Sequence, residues 1–498
     1  MLASIPVSCA LAVLGLQLLV NHRYGLYNDE LYFIDCAKRL AWGYVDHPPL
    51  LPFITRIAGE LFGYTPQGVR FPLAVAIALN CYLTSRLARQ LGGGAVARAL
   101  AAVCFVTAPV MLRGGMHLNI PAFEMTLNLL LALCLASILR GASPRLWLLF
   151  GVLAGIGILN KYTTVFFGAS MLLGLALTPQ RRHFAQPWIW LGGGVALLVA
   201  LPNLIWQVQH GFPTIEFMRN INASIMQRIP KSQFIASQLL FFGPFNLAAL
   251  VGAFWFYGRS ELGRTWRALG CIPLFYFLFL LGTGSKHYYF APLFPLIMAG
   301  GCVALEYAWN RPGRRGLLIA QPALSALFLA PLLPIVLPVL TLDQLHTYES
   351  RFLAAITDRP ARVTSDYYNQ LGWAGETGKI ARLYHGLPDC DRAVCAILSN
   401  SYSLAGAINY CGPTLGLPEA QSGNNNYYLW GMQSCRGSVA LAYGYDEALL
   451  RGIYTSVVAV GRTHRDHADR DKTGLTIYLC KGLRMPWAEA WPRFRTYR

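Results

Sequence analysis

Apolar runs of 15 to 25 residues, separated by short polar stretches, repeat along the chain as far as residue 340. They lie near 3–20, 69–86, 97–113, 122–139, 146–160, 163–178, 187–206, 234–256, 268–283, 288–307 and 316–340. A helix needs about 20 apolar residues to cross a bilayer. The pattern therefore predicts a polytopic α-helical membrane unit of about eleven spans over residues 1–340. Beyond it the pattern shortens. Ala393–Leu398, Ser438–Tyr443 and Ser456–Gly461 read as strands, with turns at Gly412-Pro413 and Gly416-Leu417-Pro418. Residues 341–498 are expected to form a separate soluble α/β domain.

Composition agrees with this division. Only 13% of the 498 residues are charged and 55% are hydrophobic, whereas about a quarter of a soluble domain is charged. A soluble multidomain enzyme and a disordered chain are both excluded. The first 340 residues hold nine of the 23 acids and 24 of the 41 Lys and Arg, a net charge of +15; the remainder carries only +3. The basic residues gather in short connections: Arg86, Arg89 and Arg98; Arg140 and Arg145; Arg181 and Arg182; Arg259, Arg264 and Arg267; Arg311, Arg314 and Arg315. These connections alternate, as the positive-inside rule requires of cytoplasmic loops. No single basic face is left for nucleic acid. With the clusters inside, the first residue is cytoplasmic and an odd number of spans puts 341–498 outside. The first run lacks a basic leader and a small-residue cleavage site, so it is expected to be a retained helix.

Five of the 12 cysteines lie in the exported part. Cys411 with Cys435 and Cys390 with Cys395 are candidate disulfides there, although an odd number leaves the connectivity open.

Carboxylates concentrate on the expected outer face. Asp29, Glu30, Asp35 and Asp46 fall within 18 residues of the first outer loop, followed by Glu60. Glu124 stands at the outer mouth of the fourth span and Glu216 in loop 207–233; Glu261 and Glu306 are cytoplasmic. Asn28 is placed to cap a helix with Asp29 and Glu30 in its first turn, where acids suit the helix dipole as well as catalysis. That helix is expected to run to Trp42 along the membrane interface. In Asp46-His47-Pro48-Pro49-Leu50 the prolines hold the backbone extended at His47. Asp46 and His47 are thus fixed on a stiff turn, able to bind a proton or a metal.

Cations stand at the same face: Lys161 in Asn160-Lys161-Tyr162; Lys286 in Ser285-Lys286-His287-Tyr288-Tyr289; and Arg219, Arg228 and Lys231 in loop 207–233. Singly, each suits snorkelling at an interface. Together with tyrosines around a group of acids, they suit an anionic headgroup such as a lipid phosphate.

These residues resemble a known family. Asp29-Glu30, Asp46-His47-Pro48-Pro49-Leu50, Asn160-Lys161 and Lys286-His287-Tyr288-Tyr289 before a Pro-x-x-Pro stretch are similar to the glycosyltransferase 39 and 83 type. That type includes the protein O-mannosyltransferases and the lipid A aminoarabinose transferase of bacterial inner membranes. Ser422-Gly423-Asn424-Asn425-Asn426-Tyr427-Tyr428-Leu429-Trp430-Gly431 resembles the exported domain of a bacterial subgroup. The resemblance covers nearly the whole chain.

It implies a GT-C membrane fold, a polyprenyl-phosphate-linked sugar donor and transfer to a hydroxyl acceptor on a lipid, glycan or protein, at the outer face of a bacterial inner membrane. By match to the motif, Asp29 is the expected general base and Glu124 stands where many members carry a second acid. His47 departs from the Lys that aminoarabinose transferases carry there. The expected catalytic set is Asp29, Glu30 and Glu124. The expected substrate and phosphate set is Asp46, His47, Lys161, Tyr162, Arg219, Lys286, His287, Tyr288 and Tyr289, with Arg228 as an alternative to Arg219. A divalent cation, held by Asp46 and His47, stays open. So do two other classes, a transporter and a non-catalytic glycan-binding or assembly protein.

Overall fold

The structure is a computed structural model that describes residues 2–226, 229–355, 357–358, 363–432, 437–465 and 473–498. Six helices are long and apolar enough to cross a membrane: Pro66–Gln90, Ile120–Leu139, Pro187–Gln209, Arg264–Thr283, His287–Trp309 and Leu317–Val336. Two apolar pairs are sharply bent, Thr163–Ala176 with Pro179–Ala185 at 111° and Lys231–Phe242 with Pro244–Gly258 at 86°. The second bend has a local cause: Gly243 takes φ 90° and Pro244 follows it, so neither continues the first helix. Ile5–Val20, Ala95–Thr107 and Leu146–Asn160 are shorter apolar helices. All the apolar runs are thus helical, and length and composition give six crossings, or eight when each bent pair is one span.

Burial sorts these helices into a centre and a rim. The apolar stretch of His287–Trp309 is 89% buried, whereas those of Pro187–Gln209 and Leu317–Val336 are 22% buried. Leu197, Leu198, Ile319 and Leu327 on the rim helices are exposed, as lipid-facing side chains should be. Small residues bring the rim helix Pro187–Gln209 against Leu146–Asn160. A Cβ on Gly151 would stand 2.2 Å from the Gly192 carbonyl oxygen, so only glycine lets these two backbones approach so closely.

The tail carries a five-stranded sheet of order β2-β1-β3-β5-β4, with β1 Cys395–Ser399, β2 Ala420–Ser422, β3 Val439–Tyr443, β4 Tyr454–Arg462 and β5 Thr476–Leu483. β1 pairs in parallel with β2 and β3, and β5 pairs antiparallel with β3 and β4. β1 and β3 are buried along their whole length and read as continuous apolar runs. β2 was too short, and β5 too mixed in polarity, to stand out in the sequence. Helix Tyr402–Cys411 makes the crossover from β1 to β2 and packs against the first outer helix.

Three local expectations are corrected. The first outer helix is Asn28–Lys38, four residues shorter than expected at its C-terminal end, and its N-cap is Tyr27, not Asn28. Its early end leaves Leu40 and Trp42 exposed, while Leu31 and Ile34 are buried against protein. Cys390 and Cys395 are not joined to each other, one being exposed at the start of helix Asp389–Val394 and the other buried in β1. Cys435, the expected partner of Cys411, lies outside the described residues.

Candidate active site

Asp29 and Glu30 are neighbours in the first turn of Asn28–Lys38, yet they face different surroundings. Glu30 has no exposed side-chain surface. Its Oε1 accepts from Arg70 Nε and the Leu118 N–H, both at 2.7 Å, and its Oε2 accepts from Arg70 Nη2 at 2.5 Å and the Tyr27 N–H at 2.7 Å. Burial alone would push this carboxyl up; the Arg70 guanidinium and these hydrogen bonds outweigh it and hold the group below the usual range. All four of these bonds are internal, a different place from the catalytic one expected of Glu30: it fixes the start of the helix that carries Asp29, tying it to Pro66–Gln90 and to Leu118.

Asp29 keeps part of its surface open. The Tyr402 hydroxyl donates to its Oδ1 at 2.7 Å. Asp46 is held in the same way, with the Tyr32 hydroxyl donating to its Oδ1 at 2.8 Å. The two tyrosine rings lie 5.0 Å apart. Burial, and then the carboxylates beside them, push the Tyr32 and Tyr402 hydroxyls well up, so both stay protonated donors. Burial is also the largest cause that raises the Asp46 carboxyl; Asp29 adds to it, while His47 and Tyr32 oppose it. His47 is buried among Tyr32, Phe33 and Tyr44. Its Nδ1 sits 2.9 Å from the Pro48 carbonyl oxygen and its Nε2 lies 3.9 Å from Asp46 Oδ1. Among the described residues no three His, Cys, Asp or Glu side chains come together as a metal site.

Glu124 is buried near the start of Ile120–Leu139 and accepts from Lys161 Nζ at 2.9 Å, Thr163 Oγ1 at 2.6 Å and the Tyr276 hydroxyl at 3.4 Å. These bonds make Glu124 the counter-ion that orients Lys161. Lys161 Nζ also stands 4.2 Å from the centroid of the Tyr289 ring. Tyr288, edge-on to Tyr289, is 41% exposed and lies within electrostatic reach of Asp29, Asp366 and Glu124. It therefore stands near both Asp29 and the partner of Lys161, with half-buried Lys286 two residues before it in the chain.

The other expected residues stand apart from this group. Tyr162 donates to Asn203 Oδ1 at 2.9 Å and accepts from Gln207 Nε2 at 3.0 Å, which fastens helix Pro187–Gln209. His287 Nδ1 turns to Ser237 Oγ at 3.1 Å. Arg219 is exposed on helix Pro213–Ser224, and Lys231 is exposed at the start of Lys231–Phe242. Arg228 lies outside the described residues.

The structure adds residues that the sequence did not single out. Asp366 accepts from Arg113 Nη2 at 2.5 Å and from the Tyr27 hydroxyl at 3.4 Å. The His117 ring stacks on Tyr27 with centroids 4.2 Å apart. Burial holds His117 below its usual range against the pull of Asp366, Glu30 and Asp29. Tyr27 and His117 carried a signal, since they flank Asp29 and precede Glu124. Asp366 and Tyr402 carried none, because they reach the site from the tail.

Residues 46–206 match the family model described as dolichyl-phosphate-mannose-protein mannosyltransferase. Two solved structures of ArnT from Cupriavidus metallidurans, one bound to undecaprenyl phosphate and one in the apo state, superpose with a TM-score of 0.60 at 16% identity. They cover 95% of this chain and 97% and 96% of their own. The chain has the membrane fold of these ArnT structures. A curated relative, the lipid A galacturonosyltransferase RgtD of Rhizobium johnstonii (strain DSM 114642 / LMG 32736 / 3841), is 25% identical over 307 residues. That alignment covers 57% of this chain and spans only 62% of the length of the relative.

Proposed function

We propose that the protein is an inverting glycosyltransferase that moves a sugar from a polyprenyl-phosphate donor to a hydroxyl on a lipid-borne acceptor. Residues 1–340 form its membrane catalytic unit and 341–498 an exported unit, at the periplasmic side of a bacterial inner membrane. One observation carries the reading: Tyr288 lies within electrostatic reach of both the partly open Asp29 carboxylate and Glu124, the partner of Lys161, so a candidate base and a candidate phosphate-binding cation gather around one tyrosine. The likeness to a structure that binds undecaprenyl phosphate supports the donor class, and the name of the Rhizobium relative supports lipid A as the kind of acceptor.

In this mechanism Asp29 takes the proton of the acceptor hydroxyl while its oxygen attacks the anomeric carbon. The bond from that carbon to the phosphate oxygen breaks, and the electron pair leaves with the lipid phosphate. Lys161, Lys286 and the Tyr288 hydroxyl compensate the charge that develops there. Glu124 keeps Lys161 aimed, and Tyr289 lends its ring face to the ammonium. Asp46, fixed by Tyr32, orients the acceptor. Phosphate leaves readily, so no protein nucleophile is required.

A transporter would place its acids near mid-membrane; here Glu124 stands near the start of its helix and Asp29, Glu30 and Asp46 lie outside the long apolar helices. The test is transfer of labelled sugar from a polyprenyl-phosphate donor by the purified protein. Asp29→Asn should lose about 10²–10⁴-fold in turnover, the usual contribution of a general base. Lys286→Ala should mainly raise the apparent KM for the donor. Unchanged donor KM would remove Lys286 from the phosphate site.

A further inference from the structure

The tail reaches the candidate base along one helix face. Tyr402, Gly406 and Asn409 lie four and three residues apart on helix Tyr402–Cys411, a spacing that stacks them on one side. Opposite them, in the same direction along the chain, stand Asp29, Leu31 and Asp35. Tyr402 donates to Asp29, and Asn409 Nδ2 donates to Asp35 Oδ2 at 2.6 Å. Between these contacts a Cβ on Gly406 would stand 3.0 Å from the backbone carbon and the Cβ of Leu31. The Tyr427 hydroxyl adds a second bond to Asp35.

The asparagine run frames both tyrosines. Asn424 Oδ1 accepts from the Tyr402 N–H at 3.0 Å, and Asn424 Nδ2 donates to the Thr496 carbonyl at 2.9 Å. The Asn426 N–H donates to the Tyr32 hydroxyl at 3.3 Å, and Asn426 Oδ1 accepts from the Val45 N–H at 3.2 Å, next to Asp46. Asp29 and Asp46 are thus each held by a tyrosine that an asparagine of the tail holds in turn.

We infer that Tyr402 is a positioning residue for the transfer reaction: from the tail, it fixes the Asp29 carboxylate through Oδ1 and leaves Oδ2 to take the acceptor proton. The inference rests on the reading of Asp29 as base. Tyr402 itself neither gains nor loses a proton, and it stays a donor before and after Asp29 is protonated. The tail is then a working part of the site, because the base is aimed only when helix Tyr402–Cys411 is seated.

The experiment is a double-mutant cycle on the full-length protein in nanodiscs, read as kcat and donor KM for labelled-sugar transfer, with thermal unfolding as the check on folding. Tyr402→Phe removes one hydroxyl and should lower kcat about tenfold to a hundredfold, the loss expected for a hydrogen bond to a charged group, with donor KM and melting unchanged. In an Asp29→Asn background the same change should have no further effect on kcat. Asn424→Ala, which keeps the hydroxyl and frees the backbone beneath it, should lower kcat in the same sense. A normal kcat in Tyr402→Phe beside an inactive Asp29→Asn would overturn the positioning role and leave the base assignment standing. An equal loss in both backgrounds, or a change in donor KM alone, would also overturn it. An active Asp29→Asn would instead remove the base on which the inference depends.

Discussion

At the scale of residues, two adjacent carboxylates have separate work. Glu30 is sealed against Arg70, and Asp29 is left partly open. Removing one partner of a buried ion pair leaves the other charge unpaired, at a cost of about 3–5 kcal/mol. Arg70→Met should therefore lower the unfolding free energy by that much, measured by thermal or denaturant unfolding in detergent. A loss below about 1 kcal/mol would show the pair to be dispensable. Its pH dependence has a fixed sign. The folded Glu30 carboxyl lies below its ordinary value of 4.5, so its contribution is complete above that value and is lost as pH falls through the folded one. Glu30→Gln should flatten that acid-side loss. The sequence placed both acids in the first turn of a helix and had no means to separate them. The deciding group, Arg70, comes forty residues later, on another helix.

At the scale of elements, the contact between Asn28–Lys38 and Tyr402–Cys411 is the joint on which the site turns. Gly406 lets the two backbones close. Gly406→Val should overpack the joint at a cost of about 1–3 kcal/mol. Its expected signature is faster proteolysis of the tail and slower sugar transfer, with little change in the melting of the membrane helices. Unchanged proteolysis and transfer would show that the joint tolerates separation. The apolar runs made the membrane helices legible, because about twenty consecutive apolar residues have few other uses. Three strands were legible from their composition. This joint was not: Asp29 and Tyr402 lie 373 residues apart, and no local period records a pairing at that distance. The same holds for Arg113 and Asp366, which come from different parts of the fold.

At the scale of the whole molecule, acids and unclustered cations gather at one end of the helices, while the arginine clusters lie in the connections at the other. That asymmetry is the ground for expecting the tail outside. Cys390 is an internal reporter of this sidedness, since it is exposed while Cys395 and Cys480 are buried. A membrane-impermeant maleimide added to intact spheroplasts should label the wild-type tail at Cys390, and Cys390→Ser should lower that label. Labelling of Cys390 only after the membrane is opened would put the tail in the cytoplasm and reverse the orientation.

The central claim is that Asp29 strips the acceptor hydroxyl as sugar leaves a lipid phosphate. Its most direct measurement is the single-turnover rate with a radiolabelled polyprenyl-phosphate sugar, for the wild type and for Asp29→Asn matched in folding and in donor binding. The account predicts transfer by the wild type and a rate at least about a hundredfold lower in the variant. Equal rates in the two proteins, or no transfer by the wild type from any polyprenyl-phosphate sugar, would contradict it.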